Sequence, residues 1–125
     1  MSLSIEVFPR QPERWEVVLH GSLDSDTAPD LEKALEPAMT SATRHITFNL
    51  SGLEFISSAG IRVVALTTKA MKANGGAVAV TQLQPQIQRV FDIIKVLPSL
   101  GVFASQAEAD EYFAEMQRQV LEEGK

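Results

Sequence analysis

Two adjacent serines, Ser57 and Ser58, stand where an apolar strand pattern ends and an apolar helix pattern begins. The first turn of a helix has backbone N–H groups without partners and carries the positive end of the helix dipole, so it would stabilise a phosphate on either hydroxyl. Serine is also a common helix cap, which would explain the pair without any modification. A phosphate would add roughly −1.5 to −2 charges near Glu54 and Asp24, and Arg62 could pair with it. The pair therefore predicts a phosphorylation switch before it predicts an enzyme.

The residue arrangements of common serine hydrolases and nucleotide-binding proteins are missing around these serines. A nucleophile elbow needs a glycine two residues before the serine, but Phe55 and Ile56 occupy those positions. Gly75-Gly76 is not followed by the lysine and hydroxyl residue of a phosphate-binding loop. His20 and His45 both lie in or beside strand patterns, where neither is an evident base for a serine nucleophile. The sequence predicts no catalytic residue.

Acidic residues are plentiful, but their spacing indicates structural roles. Asp24-Ser25-Asp26 is a weak metal-binding candidate that helix capping explains equally well, so we predict no metal and no cofactor. Four further carboxylates follow the polar side of the last predicted helix, where we expect them only to be solvated. They are Glu108, Asp110, Glu111 and Glu115.

Length and composition indicate one folded domain spanning residues 1–125. Hydrophobic residues make up 45% and charged residues 22% of the chain, which is typical of a globular protein. The net charge of −5 disfavours nonspecific binding to nucleic acid or anionic lipid. The absence of cysteine, of an export signal and of an apolar run near the ~20 residues needed to cross a bilayer favours a cytoplasmic protein without membrane insertion.

Alternating apolar residues predict an opening hairpin, with one strand over residues 3–7, a loop from Pro9 to Glu13 and a second strand from Trp15 to His20. Gly21 to Asp26 breaks the strand pattern. A helix carrying Ala28, Leu31 and Leu35 should follow, with Asp26 or Thr27 as its cap. The next strand should run from Ile46 to Leu50 and end at Ser51-Gly52, just before the serines.

The second half of the chain continues this alternation of helices and strands. A helix should follow the serines and stop at Asn74-Gly75-Gly76, and a short buried strand should cover Ala77 to Thr81. Pro85 starts a helix that ends near Val96 or Leu97, Val102-Phe103 could form a last strand, and Ser105 has the spacing of a cap for a terminal helix. We predict an α/β domain with a mixed, mostly parallel sheet of four to five strands and about four helices. The serines should lie at the carboxyl edge of the sheet.

Two motifs together resemble the STAS domain family, specifically the bacterial anti-sigma factor antagonists. The first is Gly21-x-Leu23-Asp24. The second is Asn49-Leu50-Ser51-Gly52-Leu53-Glu54-Phe55-Ile56-Ser57-Ser58-Ala59-Gly60-Ile61. The resemblance covers nearly the whole chain, and the serine segment is its specific part.

This resemblance implies a partner switch in transcription regulation, of the kind used in stress responses. The unphosphorylated antagonist binds an anti-sigma factor that has serine kinase activity, and a sigma factor is released. Phosphorylation by that kinase abolishes binding, and a serine phosphatase restores it. Matching the motif makes Ser58 the phosphoacceptor. Ser57 is the alternative, since it occupies a position where the family often has aspartate.

The same resemblance implies a partner-binding surface around the serines, where a phosphate would have to be desolvated on binding. Its residues are Asp24, Asp26, Phe55, Ile56, Ser57, Ser58, Ala59, Gly60, Ile61 and Arg62. An alternative from another class is a non-phosphorylated STAS subunit of an ABC-type lipid transport system, in which this surface would grip a nucleotide-binding subunit.

Overall fold

A four-stranded sheet carries the serine pair at the end of its third strand. The structure, a computed structural model, describes residues 2–11, 13–96 and 103–123. The strands are β1 (Leu3–Gln11), β2 (Arg14–Leu23), β3 (His45–Ile56) and β4 (Ala77–Thr81), in the spatial order β1-β2-β3-β4. β1 is antiparallel to β2, whereas β3 is parallel to both β2 and β4. The mixed, mostly parallel sheet that the sequence predicts is therefore confirmed.

Four helices connect and follow these strands: α1 (Ala28–Leu35), α2 (Ser58–Ala73), α3 (Pro85–Val96) and α4 (Gln106–Glu123). A short 3₁₀ turn, Glu36–Ala38, extends α1. The cap expected at Ser105 is present, because its hydroxyl accepts the Glu108 N–H at 3.1 Å. Thr27 occupies the N-cap position of α1, but its side chain makes no capping hydrogen bond. Each helix begins and ends close to where its local signals predict.

One hydrophobic core joins a single face of the sheet to all four helices. The alternate strand residues Val17, Leu19, Ile46 and Phe48 are fully buried. Their neighbours on the other face are half-buried or exposed, as at His20. The period-two pattern of the strands therefore matches a sheet that is covered by helices on one side.

The predicted loop from Pro9 to Glu13 is wrong, because β1 continues to Gln11 and β2 begins at Arg14. Pro9 belongs to β1, the strand at the edge of the sheet, and pairs with Trp15 of β2. Proline is tolerated in an edge strand because its missing N–H need not face a neighbour.

β2 and β3 both run further than their sequence patterns predict. β2 passes through Gly21 to Leu23, and β3 passes through Ser51-Gly52 to Ile56. Register irregularities between the two strands absorb the breaks, and Gly21 adopts a φ of +105° that a residue with a side chain rarely adopts. The pairing between strands here overrides local turn signals.

β4 has its predicted bounds but is not the fully buried strand that was expected. Ala77 and Ala79 are exposed, and Val78 and Val80, which pack against the core, are only half-buried. Of the predicted fifth strand, Val102 lies outside the described residues and Phe103 lies in a bend. No helix within the described ranges combines the length and apolar character needed to cross a membrane.

Candidate functional site

The two serines lie at the junction of β3 and α2, as predicted. Ser57 is the N-cap residue, with the extended backbone of a φ of −100° and a ψ of 175°, and Ser58 is the first residue of α2. The Ser57 N–H donates to the Leu23 carbonyl at 2.9 Å, which fixes the junction against the end of β2. The helix N-terminus is therefore held at the carboxyl edge of the sheet.

Both serine side chains are buried within the domain. Ser58 is 1% exposed and Ser57 is 5% exposed. Among the described residues, the Ser57 hydroxyl has no hydrogen-bond partner, which is an uncommon and unfavourable state for a buried polar atom. The two hydroxyls are thus equally hidden but differ in their bonding.

Ser58 is bound by a carboxylate from the far end of the chain. Its hydroxyl donates to Oδ1 of Asp110 at 2.6 Å, and its backbone N–H donates to the same oxygen at 3.0 Å. Asp110 lies in the first half of α4, where it supplies a negative charge to the N-terminus of α2. Hydrogen bonds to a charged group each contribute about 1.5–3 kcal/mol, so this contact is a substantial link between α2 and α4.

The role predicted for Asp110 is wrong, because its carboxylate binds Ser58 and is not merely a solvated group on the polar side of α4. Fifty-two residues separate it from Ser58, and no local pattern reveals a pairing at that distance. A faint signal is present in the helix period. Asp110 directly follows the buried Ala109 and lies three residues before the buried Phe113, so it borders the apolar face.

Three glutamine side chains bond to the backbone of β3 beyond the point where β4 stops pairing with it, at Asn49. Gln84 donates to the Ser51 carbonyl at 2.8 Å, and Gln86 donates to the Glu54 carbonyl at 3.0 Å. The third, Gln117 of α4, donates to the Ile56 carbonyl at 2.8 Å and accepts the Ile56 N–H at 3.0 Å. Gln86 and Gln117 are buried, and sequence analysis missed all three residues.

The side chain of Asp24 bonds to the loop between β2 and α1 and not to the first turn of the helix itself. Its Oδ1 accepts the N–H groups of Asp26 at 2.9 Å and Thr27 at 3.1 Å. The Thr27 hydroxyl in turn donates to the Ser22 carbonyl at 2.9 Å. Within the part of the chain that the structure describes, no three His, Cys, Asp or Glu side chains are grouped so that they could hold a metal ion.

Gly60 allows α2 to approach the ends of β2 and β3. A Cβ atom at this position would lie 2.6 Å from Cγ of Leu23 and 2.9 Å from Cγ1 of Ile56, which is closer than real Cβ atoms come to their neighbours. The glycine therefore sets the short distance between the serine segment and the sheet.

Only part of the predicted partner-binding surface faces solvent. Asp26 and Arg62 are exposed, and Asp24, Phe55 and Ala59 are half-buried. The remaining residues of that surface are buried: Ile56, Ser57, Ser58, Gly60 and Ile61. Arg62 makes no ion pair within the described ranges, and it lies one helical turn after Ser58.

Comparisons with known proteins identify the family of this chain. Residues 9–109 match the STAS domain family. An anti-sigma-B factor antagonist of Staphylococcus aureus is 33% identical over 93 residues, which are 74% of this chain and 85% of that protein. The phosphorylated form of the Bacillus cell fate determinant SpoIIAA superimposes with a TM-score of 0.63 at 21% identity, covering 73% of this chain and 83% of that one. An anti-sigma factor antagonist from Mycobacterium paratuberculosis gives a TM-score of 0.60 at 23% identity, covering 80% and 89%.

Proposed function

Since this chain belongs to the STAS domain family, we propose that it acts as an anti-sigma factor antagonist, which binds an anti-sigma factor and so frees a sigma factor. The observation that carries the proposal is the Staphylococcus aureus relative, which is named for this role and aligns over 85% of its length. The shared fold of the Bacillus and Mycobacterium proteins is consistent with it. The proposed activity is binding, and it requires no catalytic residue in this chain.

The proposed binding surface surrounds the junction of β3 and α2. Leu23 pairs with Ile56, so the loop that carries Asp24 and Asp26 lies beside the serine segment. Together with Arg62 and the half-buried Phe55, this loop presents charged and apolar groups at one edge of the sheet. Such a mixture suits a partner surface in which an apolar centre gives affinity and a charged rim gives specificity.

We propose that phosphorylation of Ser58 switches this binding off, with Ser57 as the alternative acceptor. The proposed kinase is the anti-sigma factor itself, acting with ATP. The Ser58 Oγ attacks the γ-phosphorus, the bond to the ADP oxygen breaks and the hydroxyl proton is released. A serine phosphatase restores the Ser58 hydroxyl by hydrolysis, in which water attacks the phosphorus, the Oγ–P bond breaks and inorganic phosphate leaves. Both partners would act in the cytoplasm.

The placement of Ser58 explains how one phosphate would prevent binding. A dianionic group at the first residue of α2 would belong to the same short segment as the half-buried Phe55 and Ala59 and the exposed Arg62. A partner covering these residues would have to remove water from the phosphate without supplying an equal number of hydrogen bonds. Affinity would therefore fall steeply on phosphorylation.

Mass spectrometry of the protein recovered from its own cells tests the switch. We expect one phosphate on Ser58 whose occupancy changes between unstressed and stressed growth. A phosphate that maps to Ser57 would show that Ser57 is the acceptor and that Ser58 is not. The absence of phosphate under every condition would overturn the switch and favour the non-phosphorylated class of STAS subunit.

Affinity capture tests the partner. The immobilised wild-type protein and its Ser58→Ala variant should retain an anti-sigma factor, identified by its mass spectrum, and Ser58→Asp should retain at least about tenfold less. Ser41→Asp provides a matched control, because it adds the same charge at an exposed serine near the opposite end of β3. Failure of both the wild type and Ser58→Ala to retain any anti-sigma factor would contradict the proposed function.

A further inference from the structure

We infer that α4 is a latch over Ser58: the Asp110 carboxylate holds the acceptor hydroxyl, and a phosphate on Ser58 releases the N-terminal part of α4. This inference rests on the proposed phosphorylation of Ser58. It adds a conformational response to the switch, and it assigns that response to α4. Residues 9–109 are the part that matches the family, so Asp110 and most of α4 lie beyond it.

The closed state of the latch is visible in the contacts of Ser58. One carboxylate oxygen of Asp110 accepts both its O–H at 2.6 Å and its N–H at 3.0 Å. The side chain is 1% exposed, so the oxygen that would attack a phosphorus atom is covered. A kinase can reach this oxygen only after Asp110 has moved away from it.

Phosphorylation removes the shorter of the two bonds in this contact, the one from the hydroxyl. The hydrogen that Ser58 Oγ donates is lost when the Oγ–P bond forms, and the ester oxygen has nothing left to donate. Two oxygen atoms that stood 2.6 Å apart around a shared proton then repel each other. The phosphate adds roughly −1.5 to −2 charges directly beside the carboxylate. The side-chain part of the contact therefore becomes repulsive, and among the two bonds to Asp110 only the one from the Ser58 N–H, at 3.0 Å, still holds the carboxylate.

Other contacts decide how much of α4 is released. Gln117 binds both backbone groups of Ile56, and the side chain of Phe113 is fully buried in the core. These contacts lie one and two turns after Asp110 and do not involve Ser58. We therefore expect the opening to be confined to the segment before Phe113, with the rest of α4 staying docked.

Hydrogen exchange on protein with phosphoserine incorporated at position 58 during translation tests the latch. The amide of residue 58 and the α4 amides of residues 109–113 should exchange about tenfold faster, or more, than in the unmodified protein, which corresponds to losing one charge-assisted hydrogen bond. Amides 117–123 should change little. Unaltered exchange at residues 109–113 would overturn the inference.

Asp110→Asn and phosphoserine at position 41 are the matched controls. The asparagine amide can donate to the phosphate, so Asp110→Asn should largely cancel the effect of phosphoserine 58. Phosphoserine at position 41 adds equal charge far from α4 and should leave residues 109–113 unchanged. Phosphoserine at position 58 could unfold the whole domain. In that case, a phosphoserine-58 protein that also carries Asp110→Asn and is folded would support the latch. The same protein in an unfolded state would overturn it.

This experiment is independent of the proposed function, because the phosphate is installed without any kinase. Protein from native cells that never carries a phosphate would overturn the switch and leave the measured response of α4 intact. A phosphorylated native protein whose α4 exchange does not respond would overturn the latch and leave the switch standing.

Discussion

The side-chain amide of Gln117 pairs with the backbone of Ile56 as a neighbouring strand would, through one donated bond of 2.8 Å and one accepted bond of 3.0 Å. Its Nε2 also donates to the Phe113 carbonyl at 2.9 Å, one turn earlier in α4. The last residue of β3 is thereby tied to α4 immediately before the serine pair. The position of the candidate site thus depends on the C-terminal helix as well as on the sheet.

Replacing Gln117 with leucine should destabilise the domain strongly. The variant leaves the buried N–H and C=O of Ile56 without partners, and we expect a loss of about 2–4 kcal/mol in the free energy of unfolding. Urea unfolding followed by circular dichroism measures this loss. Gln119→Leu changes an exposed glutamine of the same helix and should stay within about 0.5 kcal/mol of wild type. Equal losses in the two variants would show that the Ile56 pairing contributes little.

Alanine substitutions should separate the two serines. Ser58→Ala removes the hydroxyl donor to Asp110 but keeps the backbone N–H donor, and it should cost about 1.5–3 kcal/mol of stability. Ser57→Ala removes a buried hydroxyl that has no partner among the described residues and should be neutral or slightly stabilising. Thermal and urea unfolding of both variants check the order, and a larger loss for Ser57→Ala would contradict the bonding described for the pair.

Gly60→Ala should lower the free energy of unfolding by about 1–3 kcal/mol, because its Cβ would press against Leu23 and Ile56. The partner truncation Leu23→Ala makes space for it. In a double-mutant cycle, the combined variant should lose less stability than the sum of the two single losses. Additive losses would mean that the overlap with Leu23 is not the cause.

The stability of the fold should depend on pH in part through the Glu115 carboxyl on the surface of α4. The hydrogen bonds from Arg118 lower the pKa of the Glu115 carboxyl below its ordinary value. A lowered carboxyl pKa in the folded state stabilises the fold above the pKa of the unfolded chain. This contribution is lost as the pH falls through the folded pKa. An NMR titration should show the pKa of Glu115 rising in Arg118→Gln, and an unchanged value would contradict the pairing.

Sequence reasoning located the serine pair because its signals are local. The apolar period of α2 and the breakers on both sides of β4 are properties of a few neighbouring residues. It placed the end of β3 too early, because pairing with β2 carries the strand through Ser51-Gly52. It also missed Asp110 and Gln117, whose partners are 52 and 61 residues away. The helix period places Asp110 at the border of an apolar face but does not identify its partner, and such long-range hydrogen bonds provide much of the site's support.

The glutamine side chains that bond to β3 also disfavour the addition of a foreign strand along the part of β3 that β4 does not cover. An unpaired strand offers a row of N–H and C=O groups on which an extended segment of another molecule can build a ladder. Here the carbonyls of Ser51, Glu54 and Ile56 already accept bonds from three separate side chains. An incoming strand would have to break each of these bonds to form one of similar strength, so it would gain little by adding at this position.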